Sequence, residues 1–433
     1  MPRSFEVVPP LKASIDPSQD TSIELIPDAD VEDLDVSGIY EVKEQSERIE
    51  VGAITEASPL DPENPGKRSE DTFFHSTRRG ITLVADGMGG VPAGEYASAI
   101  ASGELRKESL AASHPEESAF LQKQIERVFL AEAPETLLQT DVEAAMNGLL
   151  TRMNRVIEKS ALTLPLIREK AIAKFTKEKN RAPNPEDTQD KRLIDMMLRT
   201  VGTTASLTKI WKTAEGKPMV TVGNVGDSRV YILRNGELKA LSQDHSPLGK
   251  LIELGVKDRQ GNPLGDQDVN QEFSKAALIR LADTYPDLQP AAMKYMRNPT
   301  EFIRVGDIRN MISQGLGIAS LNKDLNGMPF TPFVKSFELR DDDVLVHVSD
   351  GVIDNLEDAQ IEHGLNMAIE QGQSLAQAAE EIQKRATLTS LRDRASFPRA
   401  KKDDTTIVLT RYHAGKTQTR KRNSLPAQPV SAA

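Results

Sequence analysis

Three times in this chain an apolar run ends in an aspartate that has a glycine beside it. The runs are Leu83-Val84-Ala85-Asp86-Gly87, Val222-Gly223-Asn224-Val225-Gly226-Asp227 and Leu345-Val346-His347-Val348-Ser349-Asp350-Gly351. A strand that ends on a carboxylate fixes those oxygens in space, and the glycine lets the backbone turn sharply and bring its carbonyl near a ligand. Hard divalent cations such as Mg²⁺ and Mn²⁺ take oxygen ligands, so carboxylates converging at strand ends suit a binuclear cation site. A single Asp-Gly is an ordinary turn. Three that each follow a β-branched run carry more weight. Two acidic pairs join them, Glu70-Asp71 before Phe73-Phe74 and Asp403-Asp404 before the run from Thr405 to Leu409.

The elements that position these groups are legible as short β-branched runs alternating with long helical ones, without an internal repeat. Strands are expected at Glu50 to Ala53, Ile81 to Ala85, Thr204 to Trp211, Met219 to Asn224, Arg229 to Leu233, Phe333 to Leu339, Val344 to Val348 and Thr405 to Tyr412. Arg229 to Leu233 runs through Asn235-Gly236 into Glu237 to Leu241, a hairpin whose Asn-Gly supplies the positive φ of a tight turn. A helix is expected over Ala93 to Leu110. Val142, Met146, Leu149, Leu150, Met153 and Ile157 form a second helical stripe, and Leu375, Ala379 and Ile382 a third. Residues 174 to 192, highly charged with two prolines, read as an exposed loop within a helical insertion over about 112–200. A second irregular region, about 246–308, reads as a flap flanking the site, with a helix at Glu272 to Ala282.

Composition bounds the chemistry. The 433 residues contain no cysteine, which excludes disulfides, zinc-thiolate sites and a cysteine nucleophile. Aromatic residues make up 4%, which argues against a base-stacking nucleic-acid surface, and no Walker-type loop is present. The net charge of −11 is concentrated at the N-terminus, where residues 1–66 carry 16 acidic and 4 basic side chains. Residues 1–48 are therefore expected to be a disordered acidic arm, and 414–433 a disordered basic tail, around a catalytic domain at 49–413. No apolar run suits a signal peptide or a membrane span, so a soluble cytoplasmic protein is expected.

Seven segments occur in order: GKRSEDTFF, LVADGMGGVPAGEYAS, VGTTASL, VGNVGDSRVYILRNGELKALSQDHSPL, IRNMISQGLG, LVHVSDGVIDNLED and DDTTIVL. Together they resemble the protein phosphatase 2C family of metal-dependent Ser/Thr phosphatases, and DGMGG looks like its bacterial branch. The resemblance implies an α+β fold, a four-layer α-β-β-α sandwich of two mainly antiparallel sheets flanked by helices, with the site in a cleft at one sheet edge. It implies two Mg²⁺ or Mn²⁺ ions and a third, weaker one. Asp86 would bridge the first two, the Gly87 carbonyl would serve the second, and Asp350 and Asp403 would complete the first. Asp403 is chosen over Asp404 because Thr406 then falls where the family has Thr or Ser. Glu70 and Asp71 match the acidic pair near the second ion, and Asp227 matches the carboxylate near the third.

The implied reaction is in-line attack on phosphorus by a hydroxide bridging two metals roughly 4 Å apart. The implied substrates are phosphoserine and phosphothreonine proteins, with an opposing Ser/Thr kinase and neither nucleic acid nor membrane as partner. Two positions depart from the family pattern. Gly66 stands where the family usually carries a phosphate-gripping arginine, so Arg68 either takes that role or is surface charge. Met88 replaces a histidine that some relatives carry. His245, His347, Trp211 and Tyr231 read as structural residues, and Thr203, Thr204 and Ser206 as supports for strands near the site. Two rival readings stay open, a pseudophosphatase acting as a binding module and a small-molecule phosphoesterase.

Overall fold

The computed structural model describes residues 38–40, 49–58, 69–88, 93–106, 118–130, 136–318 and 330–414. One sheet contains β1 (Gly38–Tyr40), β2 (Ile49–Glu56), β8 (Arg229–Arg234), β9 (Glu237–Ala240), β13 (Val344–Val348) and β14 (Thr405–Tyr412), in the order β1-β2-β14-β13-β8-β9. The other contains β3 (Asp71–Ser76), β4 (Ile81–Met88), β6 (Ala205–Lys212), β7 (Pro218–Val225) and β12 (Phe333–Glu338), in the order β12-β7-β6-β4-β3, with β5 (Gly202–Thr203) paired to β4. Neighbouring strands run antiparallel in both sheets.

The period of two along the strands builds the layers. Val344, Val346 and Val348 of β13 face α10 (Asp358–Glu370) and α11 (Leu375–Ser390), while Leu345 between them joins Val408, Val222 and Val84 in the layer between the sheets. On the opposite side Ile81, Leu83 and Ala85 of β4 pack against α1 (Gly94–Arg106) and α3 (Gln139–Thr163). The result is the four-layer α-β-β-α sandwich that the sequence resemblance implies. All six residues of the Val142–Ile157 stripe are buried on α3. Gly223 in the middle of β7 lets α3 sit close, since a Cβ there would lie 2.7 Å from the Met146 side chain.

Several expectations are corrected. Residues 174–192 are not one loop: α4 (Pro165–Lys179) buries Ile167, Ala171 and Phe175 at a spacing of four, and α5 (Thr188–Leu198) follows. Their charges cover the solvent face, and Pro183 and Pro185 sit in the turn between them. The region 272–282 splits into β10 (Glu272–Ser274), paired with β11 (Phe302–Arg304), and α7 (Lys275–Ala282). With α6 (Pro247–Glu253) and α8 (Gln289–Met296) these elements enclose a small core around Leu251, Phe273, Leu278 and Ile303. The helix expected over 93–110 is described as Gly94–Arg106. Gly38–Tyr40, placed in the arm by sequence, adds an edge strand through backbone pairing with β2. The remainder of the arm, Arg68 and residues 415–433 lie outside the described residues.

Candidate active site

Strand register gathers the acidic residues at one end of the sandwich. Asp86, Asp227, Asp350 and Asp403 sit at the ends of interior strands, and Asp71 starts the edge strand β3. Val348 pairs with Ile407 on one side and Arg229 on the other, so Asp350 after β13, Asp403 before β14 and Asp227 before β8 emerge together. In the second sheet Asp86 on β4 stands directly opposite Asp71 on β3. Asp86 is held through its backbone: its amide donates to Thr204 Oγ1 at 3.0 Å, and its carbonyl accepts from Thr204 N at 2.9 Å and Thr203 Oγ1 at 2.8 Å. These threonines take the supporting role expected of them. Asp71 Oδ2 accepts from Thr406 Oγ1 at 2.8 Å, which links the two sheets at the site.

The glycines beside the aspartates do different work from that expected at two of three positions. Gly226 has φ +94° and makes the sharp turn into Asp227. Gly87 and Gly351 instead permit close backbone approach. A Cβ on Gly87 would lie 2.4 Å from the Glu70 carbonyl oxygen and from Gly94, and one on Gly351 would lie 1.9 Å from the Asp404 carbonyl oxygen. Gly87 N donates to the Glu70 carbonyl at 3.0 Å, which also accepts from Ser98 Oγ. Asp404 takes two backbone donors, Ser58 N and Glu70 N, each at 2.6 Å. It therefore clamps the segment bearing Glu70 and Asp71 onto β14, while Asp403 Oδ2 meets Lys401 Nζ at 2.9 Å.

The electrostatics are those of an under-compensated acidic centre. Burial, then the neighbouring Asp71, Asp350, Asp403 and Asp227 carboxylates, push the pKa of Asp86 well up. Burial and Asp404 do the same to Asp71, and burial and Asp350 to Asp227. Asp350 is pushed up to about 6, chiefly by burial and against the pull of Lys401, and its buried Oδ1 has no hydrogen-bond partner among the described residues. Among the described residues the carboxylates here outnumber the Lys401 and Arg309 cations they face, a set that would suit oxygen-seeking divalent cations, which would hold these groups ionised. The carboxylates stand further apart than a closed coordination shell. Among the described residues the acidic and histidine trio with ligand atoms within 4.8 Å of one another is Asp341, Asp342 and His413, at the opposite end of β13 and β14.

Two members of the centre carry no expectation from sequence, Asp354 and Lys401. Asp354 follows Asp350 by four residues, the spacing that puts two side chains on one helical face, and that signal was available. Lys401 had none, because its contacts depend on tertiary register. A cleft lined by Asp227, Arg229, Asp244, Asp266, Arg309, Asp350, Asp354 and Arg399 opens beside the cluster, bounded by Ser246, Leu248, Gly249 and Ile252 of the 246–308 region. Arg229 pairs there with Asp244 and Asp266, each at 2.6 Å. His245 accepts from Gly226 N at 3.3 Å through Nδ1, His347 is buried, and Trp211 and Tyr231 are core residues.

A helix-flanked double antiparallel sheet with acidic strand ends around one centre defines an α+β sandwich with an acidic cluster at one end. Residues 142–250 match the family model described as Protein phosphatase 2C, a stretch that contains Asp227 but not Asp86, Asp350 or Asp403. A curated relative, a serine/threonine phosphatase of Listeria welshimeri, is 26% identical over 194 residues, or 44% of this chain. The match spans 54% of that relative, about half its length. Similar solved structures include a serine/threonine phosphatase of Staphylococcus aureus, with a TM-score of 0.47 and 17% identity over 84% of this chain and 94% of that one. Another is a serine/threonine phosphatase of Mycobacterium tuberculosis, with a TM-score of 0.45 and 18% identity over 84% and 99%. Over residues 142–250 the chain is thus similar to protein phosphatase 2C proteins.

Proposed function

We propose that this protein hydrolyses phosphoserine and phosphothreonine on other proteins, using two Mg²⁺ or Mn²⁺ ions. What supports the reading is the convergence of buried Asp71 and Asp227 and half-buried Asp86 and Asp350, with Asp403, at one end of both sheets. Asp86 would bridge the ions, with Asp350 and Asp403 on one side and the Gly87 carbonyl, Glu70 and Asp71 on the other. Asp227 would serve a third, weaker ion. When bound, such ions supply an acidified water as nucleophile and neutralise charge on the phosphoryl oxygens. The chain's own contribution is positional: Thr203 and Thr204 fix Asp86, Asp404 fixes the Glu70–Asp71 segment, and the Arg229-lined cleft opens beside the cluster. Phosphate capture is assigned to Arg68. The expected partners are phosphoproteins and the kinase that makes them, in the cytoplasm.

The test is turnover of para-nitrophenyl phosphate with and without Mn²⁺, followed by a phosphothreonine peptide against a nucleotide. Mn²⁺-dependent turnover with preference for the peptide is expected. A folded protein without turnover would instead be a regulatory binding module, and preference for the nucleotide would make it a small-molecule phosphoesterase.

A further inference from the structure

Lys401 Nζ lies 2.5 Å from Asp350 Oδ2, 2.9 Å from Asp403 Oδ2 and 3.0 Å from Asp354 Oδ2. Three carboxylate oxygens around one centre at these distances form a seat for a cation, and the ammonium fills it. The residue is held there from behind. Asn355, buried in the fold, accepts from Lys401 N at 3.0 Å and donates to the Lys401 carbonyl at 2.8 Å. The same Asn355 amide donates to the Gly351 carbonyl at 2.8 Å, which couples the lysine to the residue beside Asp350. The Lys401 side chain is 19% exposed, against 33% for Asp403, so the ammonium is more enclosed than one of its own carboxylate partners.

We propose that Lys401 is a resident counter-ion of the Asp350 side of the centre, holding Asp350, Asp354 and Asp403 together without metal and competing with a divalent cation for them. This rests on the reading of the cluster as a cation site. An ammonium and a divalent ion cannot share these oxygens at contact distance, so loading that side requires the lysine to leave. Its flexible four-carbon stem allows the head to reach solvent while the backbone stays on Asn355. The cost of the exchange subtracts from metal affinity, and the lysine spares the unloaded protein a set of unpaired buried charges.

The full chain, stripped with chelator and then titrated with Mn²⁺ by calorimetry, tests this in wild type and Lys401→Met, which keeps the stem and removes the charge. Mn²⁺ should bind the variant about tenfold more tightly or better, equivalent to about 1.4 kcal/mol. The stripped variant should melt below stripped wild type. Equal or weaker Mn²⁺ binding, or an unchanged melting temperature of the stripped form, overturns the proposal. Reductive methylation of wild type, read at Lys401 by mass spectrometry, needs no variant: Mn²⁺ should accelerate it several-fold, and a rate unaffected by Mn²⁺ overturns the proposal. Neither readout is turnover, so an inactive protein that gives the expected results refutes the phosphatase reading and supports this one.

Discussion

Asp86 faces Asp71 across the β3–β4 pair, the first half-buried and the second buried. Two carboxylates in that relation repel when ionised, so without a cation the pair weakens the fold that presents it. Replacing Asp86 with Asn keeps the shape and removes one charge. If Asp86 bridges the ions as proposed, Asp86→Asn should lower Mn²⁺-dependent turnover of para-nitrophenyl phosphate by at least ~100-fold. In chelator the same variant should melt as high as wild type or a few degrees higher, because a like-charge contact disappears. Loss of activity with a preserved or raised melting temperature separates a metal ligand from a residue that merely supports the fold. A wild-type rate would remove Asp86 from the centre.

At the scale of elements, close backbone packing sets the site's geometry. The start of α9 (Asp350–Ile353) touches the segment before β14 at Gly351, where a Cβ would lie 1.9 Å from a backbone oxygen that cannot rotate away. Gly351→Ala should therefore destabilise by about 1–3 kcal/mol or more, as overpacking against backbone does. Gly265→Ala is the control, because the nearest neighbour there is the end of the Gln271 side chain at 4.0 Å, and its urea midpoint should stay within about 0.5 kcal/mol of wild type. Equal midpoints for the two variants would show that the site end yields. The elements were unevenly legible in the sequence. β13 and β14 are rich in β-branched residues, and their sequence-expected bounds, Val344–Val348 and Thr405–Tyr412, match the structure. β3 was missed because Thr72-Phe73-Phe74-His75 lacks apolar alternation and begins on a charged Asp71 that belongs to the site. The acidic groups could be proposed one strand end at a time, but the place of Lys401 depends on partners 46 and 51 residues away and the backbone clamp of Asp404 on partners 334 and 346 residues away.

Across the whole molecule, the sheets meet over a layer that is not wholly apolar. Thr82 and Thr410 pair at 3.2 Å, and Thr208 Oγ1 meets His347 Nε2 at 3.1 Å with the histidine fully buried. Burial lowers the His347 pKa from its ordinary 6.5 to about 3. The unfolded chain thus takes up a proton below about pH 6.5 that the folded one refuses, so this contribution to stability is lost as pH falls toward 3. Asp350 works in the opposite sense in metal-free protein. With its pKa raised from 3.8 to about 6, the folded state keeps a proton that the unfolded state releases. That contribution is present below pH 3.8 and lost as pH rises through about 6. The two trends therefore oppose each other between about pH 4 and 6 in stripped protein. Mn²⁺ would hold Asp350 ionised and cancel its share, and protons competing with Mn²⁺ add to the acid-side loss. Urea midpoints of Mn²⁺-loaded protein should fall steadily from pH 7 to pH 5, those of the stripped protein should be flatter, and His347→Gln should reduce the loaded slope. A loaded slope unchanged by His347→Gln would move the acid sensitivity away from the sandwich core and onto the cation site alone.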